Sequence, residues 1–136
     1  MIYKPKHFVI QELVSIETLE QYGEPKCWLL FDERILKAAD LIRDEFGPMT
    51  VNNWHIGGDR TQSGYREKWM KHYSPTSQHS FGRALDMIPT RSGVDAIRRA
   101  IRTNREMYGM ITGLELNVPW LHIDCRNNTN LQMFGV

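Results

Sequence analysis

The stretch from Ser77 to Asp86, Ser-Gln-His-Ser-Phe-Gly-Arg-Ala-Leu-Asp, constrains the fold more than any other. His79 and Asp86 are seven residues apart. In a regular strand that odd offset puts them on opposite faces, so they meet only if the chain turns between them. Gly82 lies in the interval and, having no Cβ, permits the turn. Beyond it Arg83 to Ile88 alternates like a strand, with Ala84, Asp86 and Ile88 on one face, and Pro89 ends the run. An imidazole nitrogen and a carboxylate oxygen brought together in this way are good zinc donors, bonding at about 2.0–2.2 Å. The spacing alone is a weak signal, because a turn histidine and a solvated aspartate read the same.

A second run sharpens it. Trp120-Leu121-His122-Ile123-Asp124-Cys125-Arg126 is strand-like and carries His122 and Asp124 on one face. One ligand from a neighbouring strand would complete three protein ligands and leave a fourth position for water, as catalytic zinc sites do.

Three segments in order carry a family resemblance: Ser63-Gly64-Tyr65-Arg66, then Ser77-x-His79-x-x-Gly82-Arg83-Ala84-x-Asp86, then Trp120-x-His122-x-Asp124. Together they resemble the M15-type zinc peptidases, the D-Ala-D-Ala carboxypeptidases, dipeptidases and peptidoglycan endopeptidases of phage and bacteria, which share a fold with the hedgehog signalling domain. The similarity covers roughly residues 50–126, and the approach to Val51-Asn52-Asn53-Trp54 looks like the compact phage-borne members. It implies Zn²⁺ ligation by His79, Asp86 and His122, with Arg66 binding substrate or stabilising the transition state. It also implies a peptidoglycan stem peptide as partner. The chain departs from the commonest pattern. Many members carry a catalytic acid three residues before the last histidine, where this chain has Pro119, and others a histidine two residues before it, where this chain has Trp120. The hedgehog-type members keep a glutamate further upstream, and Glu115 lies near that place; Asp124 is the other candidate for the general base.

The 136 residues suit one domain, 1–136, with enough chain for a core. Charge is nearly balanced, with 17 Lys+Arg against 16 Asp+Glu, which argues against nucleic-acid binding through a broad basic field. No apolar run approaches the ~20 residues of a membrane span, so no membrane insertion is expected. The opening Met1-Ile2-Tyr3-Lys4-Pro5-Lys6-His7 has no apolar signal-peptide region. Cytoplasmic synthesis, with release by lysis or carriage in a virion, is the corresponding expectation. Cys27 and Cys125 are expected as reduced thiols, Cys125 packed in the core and facing away from His122.

Along the chain, residues 7–14 read as a short lead-in, and Ser15 caps a helix ending near Gly23. Asp32 caps a second, Glu33 to Phe46, buried through Ile35, Leu36, Ala39, Ile42 and Phe46 and stopped by Gly47-Pro48. Glu33, Arg34, Lys37, Asp40 and Arg43 form its expected solvated face. Met49 to Trp54 is strand-like and leads into a polar, glycine-rich loop, His55 to Gly64, in which His55, Asp59 and Arg60 are weaker functional candidates than Arg66. A guanidinium forks onto a carboxylate or a developing oxyanion, which is why Arg66 suits peptide hydrolysis. Trp69, Met70 and Tyr73 are expected in the core. Ser92, with Asp95 in capping-box fashion, starts a helix that buries Val94, Ile97, Ile101 and Met107, solvates Arg98, Arg99, Arg102 and Arg105, and ends at Gly109. Met110 to Leu116 and Trp120 to Arg126 form a hairpin through Asn117-Val118-Pro119, and the tail from Asn127 docks loosely.

The expected architecture is α+β, a small mainly antiparallel sheet with helices packed on one side, hedgehog/DD-peptidase-like. The expected activity is zinc-dependent hydrolysis of peptide bonds in peptidoglycan, with Glu115, Arg66 and Asp124 as the catalytic set. The rivals are a zinc-binding structural or virion module of the same fold that does not hydrolyse, and a metal-independent adaptor.

Overall fold

A computed structural model describes residues 2–135. Ser15 accepts a hydrogen bond from the Thr18 backbone and opens α1 (Ile16–Tyr22), which closes at Gly23. A short α2 (Glu24–Trp28) follows. Asp32 accepts from the Arg34 backbone N–H at 3.0 Å and starts α3 (Glu33–Phe46). Ile35, Leu36, Ala39 and Ile42 recur on its buried face, as their spacing predicts. Burying each of the larger ones stabilises the fold by about 1.5–3 kcal/mol.

The solvated face expected for α3 is only partly so. Asp40 is buried, accepting from the Tyr3 hydroxyl and from the backbone N–H groups of Lys6 and His7 at 2.9 and 3.1 Å. Arg43 donates to the His7 carbonyl at 2.6 Å and covers the Phe8 ring. The N-terminal segment is therefore strapped along the helix.

Five strands make one mixed sheet in the order β1-β2-β4-β3-β5, giving a small α+β fold. They are β1 (Met49–Thr50), β2 (Ala84–Pro89), β3 (Gly113–Glu115), β4 (Leu121–Asp124) and β5 (Gln132–Phe134). Three of the four pairings are antiparallel; β3 with β5 is parallel. Alternation divides each central strand. Leu85 and Met87 of β2, Leu114 of β3, and Leu121 and Ile123 of β4 join the hydrophobic core, while Asp86, His122 and Asp124 point the other way.

Several expectations need correction. Met49 to Trp54 is a strand only as far as Thr50, because Asn52 is used as a clamp instead: its side chain donates to Val14 O and accepts from Ser63 N. Gly93, not Ser92, is the N-cap of α4 (Val94–Thr103), without a side-chain cap. Asp95 pairs with Arg98 rather than closing a capping box. The helix breaks at Asn104 and restarts as α5 (Arg105–Tyr108), so Tyr108 is buried and Met107 exposed. Arg98 is buried too, donating to the Val118 and Trp120 carbonyls. The tail does more than dock loosely, since β5 completes the sheet. Among the described residues no helix is long and apolar enough to cross a membrane.

Candidate metal centre

The turn expected between His79 and Asp86 is a 3-10 turn, Gln78–Phe81, closed by Gly82 in the left-handed region at φ 67°. A side chain there would be strained by that backbone angle and would collide with the Leu30 carbonyl, so glycine is required on two counts. Beyond the turn β2 pairs with β4 in a register that sets Asp86 directly opposite His122. One ligand atom each from His79, Asp86 and His122, all three buried, lie within 4.8 Å of one another. This group could hold a metal ion.

The nitrogen that each imidazole turns toward Asp86 is fixed by what holds the other one. His79 Nδ1 donates to the Gly64 carbonyl at 2.9 Å, leaving Nε2 3.3 Å from Asp86 Oδ2. His122 Nε2 donates to Asp124 Oδ2 at 2.8 Å, leaving Nδ1 2.8 Å from Asp86 Oδ1. Outer partners of this kind orient metal-binding histidines and set their tautomer. Donors about 2.0 Å from a tetrahedral centre are about 3.3 Å apart; the two contacts to Asp86 are near that, and the three ligand atoms lie within 4.8 Å.

Asp124 is fully buried, and its oxygens are committed. Arg126 forks onto both of them at 2.8 and 2.6 Å, and His122 takes a further bond. Gly113 faces Asp124 across β3 and β4, where any side chain would collide with that carboxylate. Burial pushes the Asp124 carboxyl up, but the hydrogen bonds from Arg126 and His122 outweigh it and bring its pKa down to about 2. Burial likewise opposes ionisation of Asp86, yet hydrogen bonds from His122 and His79 hold it well below the usual carboxylate range. For His122 burial favours the neutral ring, while Asp124 and Asp86 override that and raise its pKa to about 9. Two carboxylates thus draw positive charge onto this imidazole, as they would draw a cation into its place.

The cluster opens into a cleft of about 410 Å³, lined also by Arg66, Glu115, Trp120 and Gln78. Arg66 donates to Gln62 O at 2.7 Å and to Asp86 Oδ2 at 3.1 Å, and burial lowers its pKa. The β3–β4 register, Leu114 opposite Ile123, carries Glu115 to the level of His122 and into the cleft. Asp124, the other expected proton acceptor, does not line it. An adjoining cavity of about 320 Å³ shares Arg66, His72, Asp86 and Trp120 and includes Asp59 and Arg60. His55 stays exposed in the 3-10 turn Trp54–Ile56. Cys125 is buried among core residues and, like Cys27, is a free thiol.

Two members of this neighbourhood escaped the sequence. Arg126 stands two residues after Asp124, which is the same-face spacing of a strand and a usable signal. Phe134 had none: it arrives on β5, packs edge-on to His122 and lies under the Arg126 guanidinium. No protein-family model, curated protein or solved structure matches this chain.

Proposed function

We propose that the chain is a zinc-dependent peptidase of the M15 type, cleaving peptide bonds of peptidoglycan. One observation carries this. Three buried donors suited to zinc, with the outer partners that would aim them, share a cleft with an arginine and a glutamate. A zinc ion held by His79, Asp86 and His122 would act as a Lewis acid and lower the pKa of water toward ~7. Glu115 takes the proton of the attacking water and passes it to the leaving amine. Arg66 stays charged and donates to the carbonyl oxygen as negative charge gathers there. Asp124 is a positioning residue, with Arg126 behind it holding the His122 ring. Glu115 in the cleft answers the absence of an acid at Pro119. The enzyme would meet its substrate after lysis or from a virion.

The test is zinc content and amino-group release from purified peptidoglycan for wild type, His122→Ala, Glu115→Gln and Asp124→Asn. Wild type is expected to bind one zinc and release amino groups, and His122→Ala to do neither. Glu115→Gln keeps zinc but loses turnover by about 10²–10⁴-fold. Asp124→Asn weakens zinc binding by about 10–100-fold and recovers turnover at saturating zinc. Turnover surviving in Glu115→Gln but not in zinc-saturated Asp124→Asn would exchange their roles. Bound zinc without release from any wall type would make the protein a binding module.

A further inference from the structure

A further cavity, of about 370 Å³, also has Arg66 in its wall. Four aromatic rings line it: Tyr22, Tyr65, Trp69 and Tyr73. Three of the chain's five tyrosines therefore gather at one place. Of the three residues expected in the core here, Met70 is buried and Tyr73 half-buried, but the Trp69 ring is 58% exposed; Tyr22 beside it is 37% exposed.

The Trp69 ring is anchored by its polar edge. Glu67 Oε2 accepts from Trp69 Nε1 and from Thr18 Oγ1, both at 2.9 Å. Thr18 is fully buried in α1 and takes a bond from the Ser15 hydroxyl that caps the helix. The Tyr22 phenol lies beside the same Glu67 carboxylate, whose charge raises its pKa. One carboxylate thus fixes the Trp69 ring by its edge and lies beside Tyr22, while both rings stay exposed. Rings already fixed give up little freedom when something stacks on them.

Flat apolar faces with a polar rim, here Gln21, Lys68 and Ser80, suit a pyranose. Its C–H face lies on an aromatic ring while its hydroxyls reach the rim. An extended peptide fits less well, because it needs main-chain partners. The backbone N–H groups of Tyr65 and Tyr73 are already given to Leu13 O and Met70 O.

We propose that this groove is a saccharide subsite, taking N-acetylated hexosamine units of a glycan strand beside the metal cleft. The groove's chemistry points to a sugar; the choice of sugar rests on the peptidoglycan proposal. The experiment titrates chitotetraose into the full-length, zinc-replete protein and follows indole and amide NMR shifts. Saturable shifts at Trp69 and Tyr22 are expected, unchanged in His122→Ala and weakened about tenfold or more in Trp69→Ala, with Trp69→Phe between. Trp69→Ala should cleave a soluble stem peptide like wild type and the intact wall more slowly. No saturable shifts, shifts confined elsewhere, or wild-type affinity in Trp69→Ala would overturn the subsite. Saccharide binding without peptide cleavage would remove the peptidase and leave the subsite; cleavage without saccharide binding would do the reverse.

Discussion

Asp40 and Asp86 are both buried, 3% and 7% exposed, and both accept three hydrogen bonds or ion pairs, yet they sit in different kinds of place. Asp40 is met by a phenol and two backbone N–H groups from a segment 33 to 37 residues away. Those donors cannot leave without undoing the N-terminal strap. Asp86 is met by two imidazoles and a guanidinium at the wall of a cleft. An imidazole nitrogen can exchange its proton for a metal, and a guanidinium has donors to spare. A buried carboxylate is therefore not a site by virtue of burial. What separates the two is whether their partners can do anything else.

That contrast is most sharply tested by metal. Zinc at about a thousand times its dissociation constant should stabilise the wild type against urea by about 4 kcal/mol. The increment should survive in Asp40→Asn and vanish in Asp86→Asn. An equal gain in both variants would mean that the ion sits elsewhere.

Next in size is the strap itself. Asp40→Ala leaves two backbone donors and a phenol facing a void, which should cost about 3 kcal/mol of unfolding free energy in urea. Zinc uptake and turnover per folded molecule should not change. A cost under about 1 kcal/mol would mean that water replaces the carboxylate, as it does for exposed groups.

The same contrast explains how much could be read from the chain. Ser15, Asp32 and Gly47 bound their helices where expected, and Gly82 makes the turn, because capping and left-handed turns depend on neighbours in sequence. His79, Asp86 and His122 were legible because chemistry, alternation and motif order agreed, and the Gly82 turn and the β2–β4 register bring them together. Asp40, Arg98 and Phe134 were not. Each takes its place through a partner far along the chain: the N-terminal segment, the carbonyls of Val118 and Trp120, and the β3 edge. On a helix, Asp40 and Arg98 read as solvated charge, and nothing local tells that a distant segment will cover them. Trp69 failed in the opposite sense. An apolar ring suggests a core, but here its indole N–H is tied to Glu67 at the surface.

The smallest effect expected is a dependence on alkaline pH at the α3 side of the molecule. Burial first, then the hydrogen bond to Asp40, raises the Tyr3 pKa from 10.0 to about 12. Burial and Glu45 raise Tyr108 in the same sense, its hydroxyl donating to Glu45 at 3.0 Å. Both phenols are harder to ionise folded than unfolded. Their stabilising contribution is therefore complete below about pH 10 and falls as pH climbs, for Tyr3 toward its folded value of about 12. The physical cause is that each phenolate would be a partly buried charge and would also face a carboxylate that now needs a donor. Urea unfolding of metal-free protein should show stability dropping above about pH 10, tracked by phenolate absorbance. Tyr3→Phe should be about 1 kcal/mol less stable at neutral pH, having lost one hydrogen bond, and should show a shallower alkaline fall. At high pH the variant and the wild type would then converge. Parallel curves would mean that Tyr3 ionises as freely in the folded protein as in the unfolded one. Asp40 would then owe its burial to the two backbone donors alone.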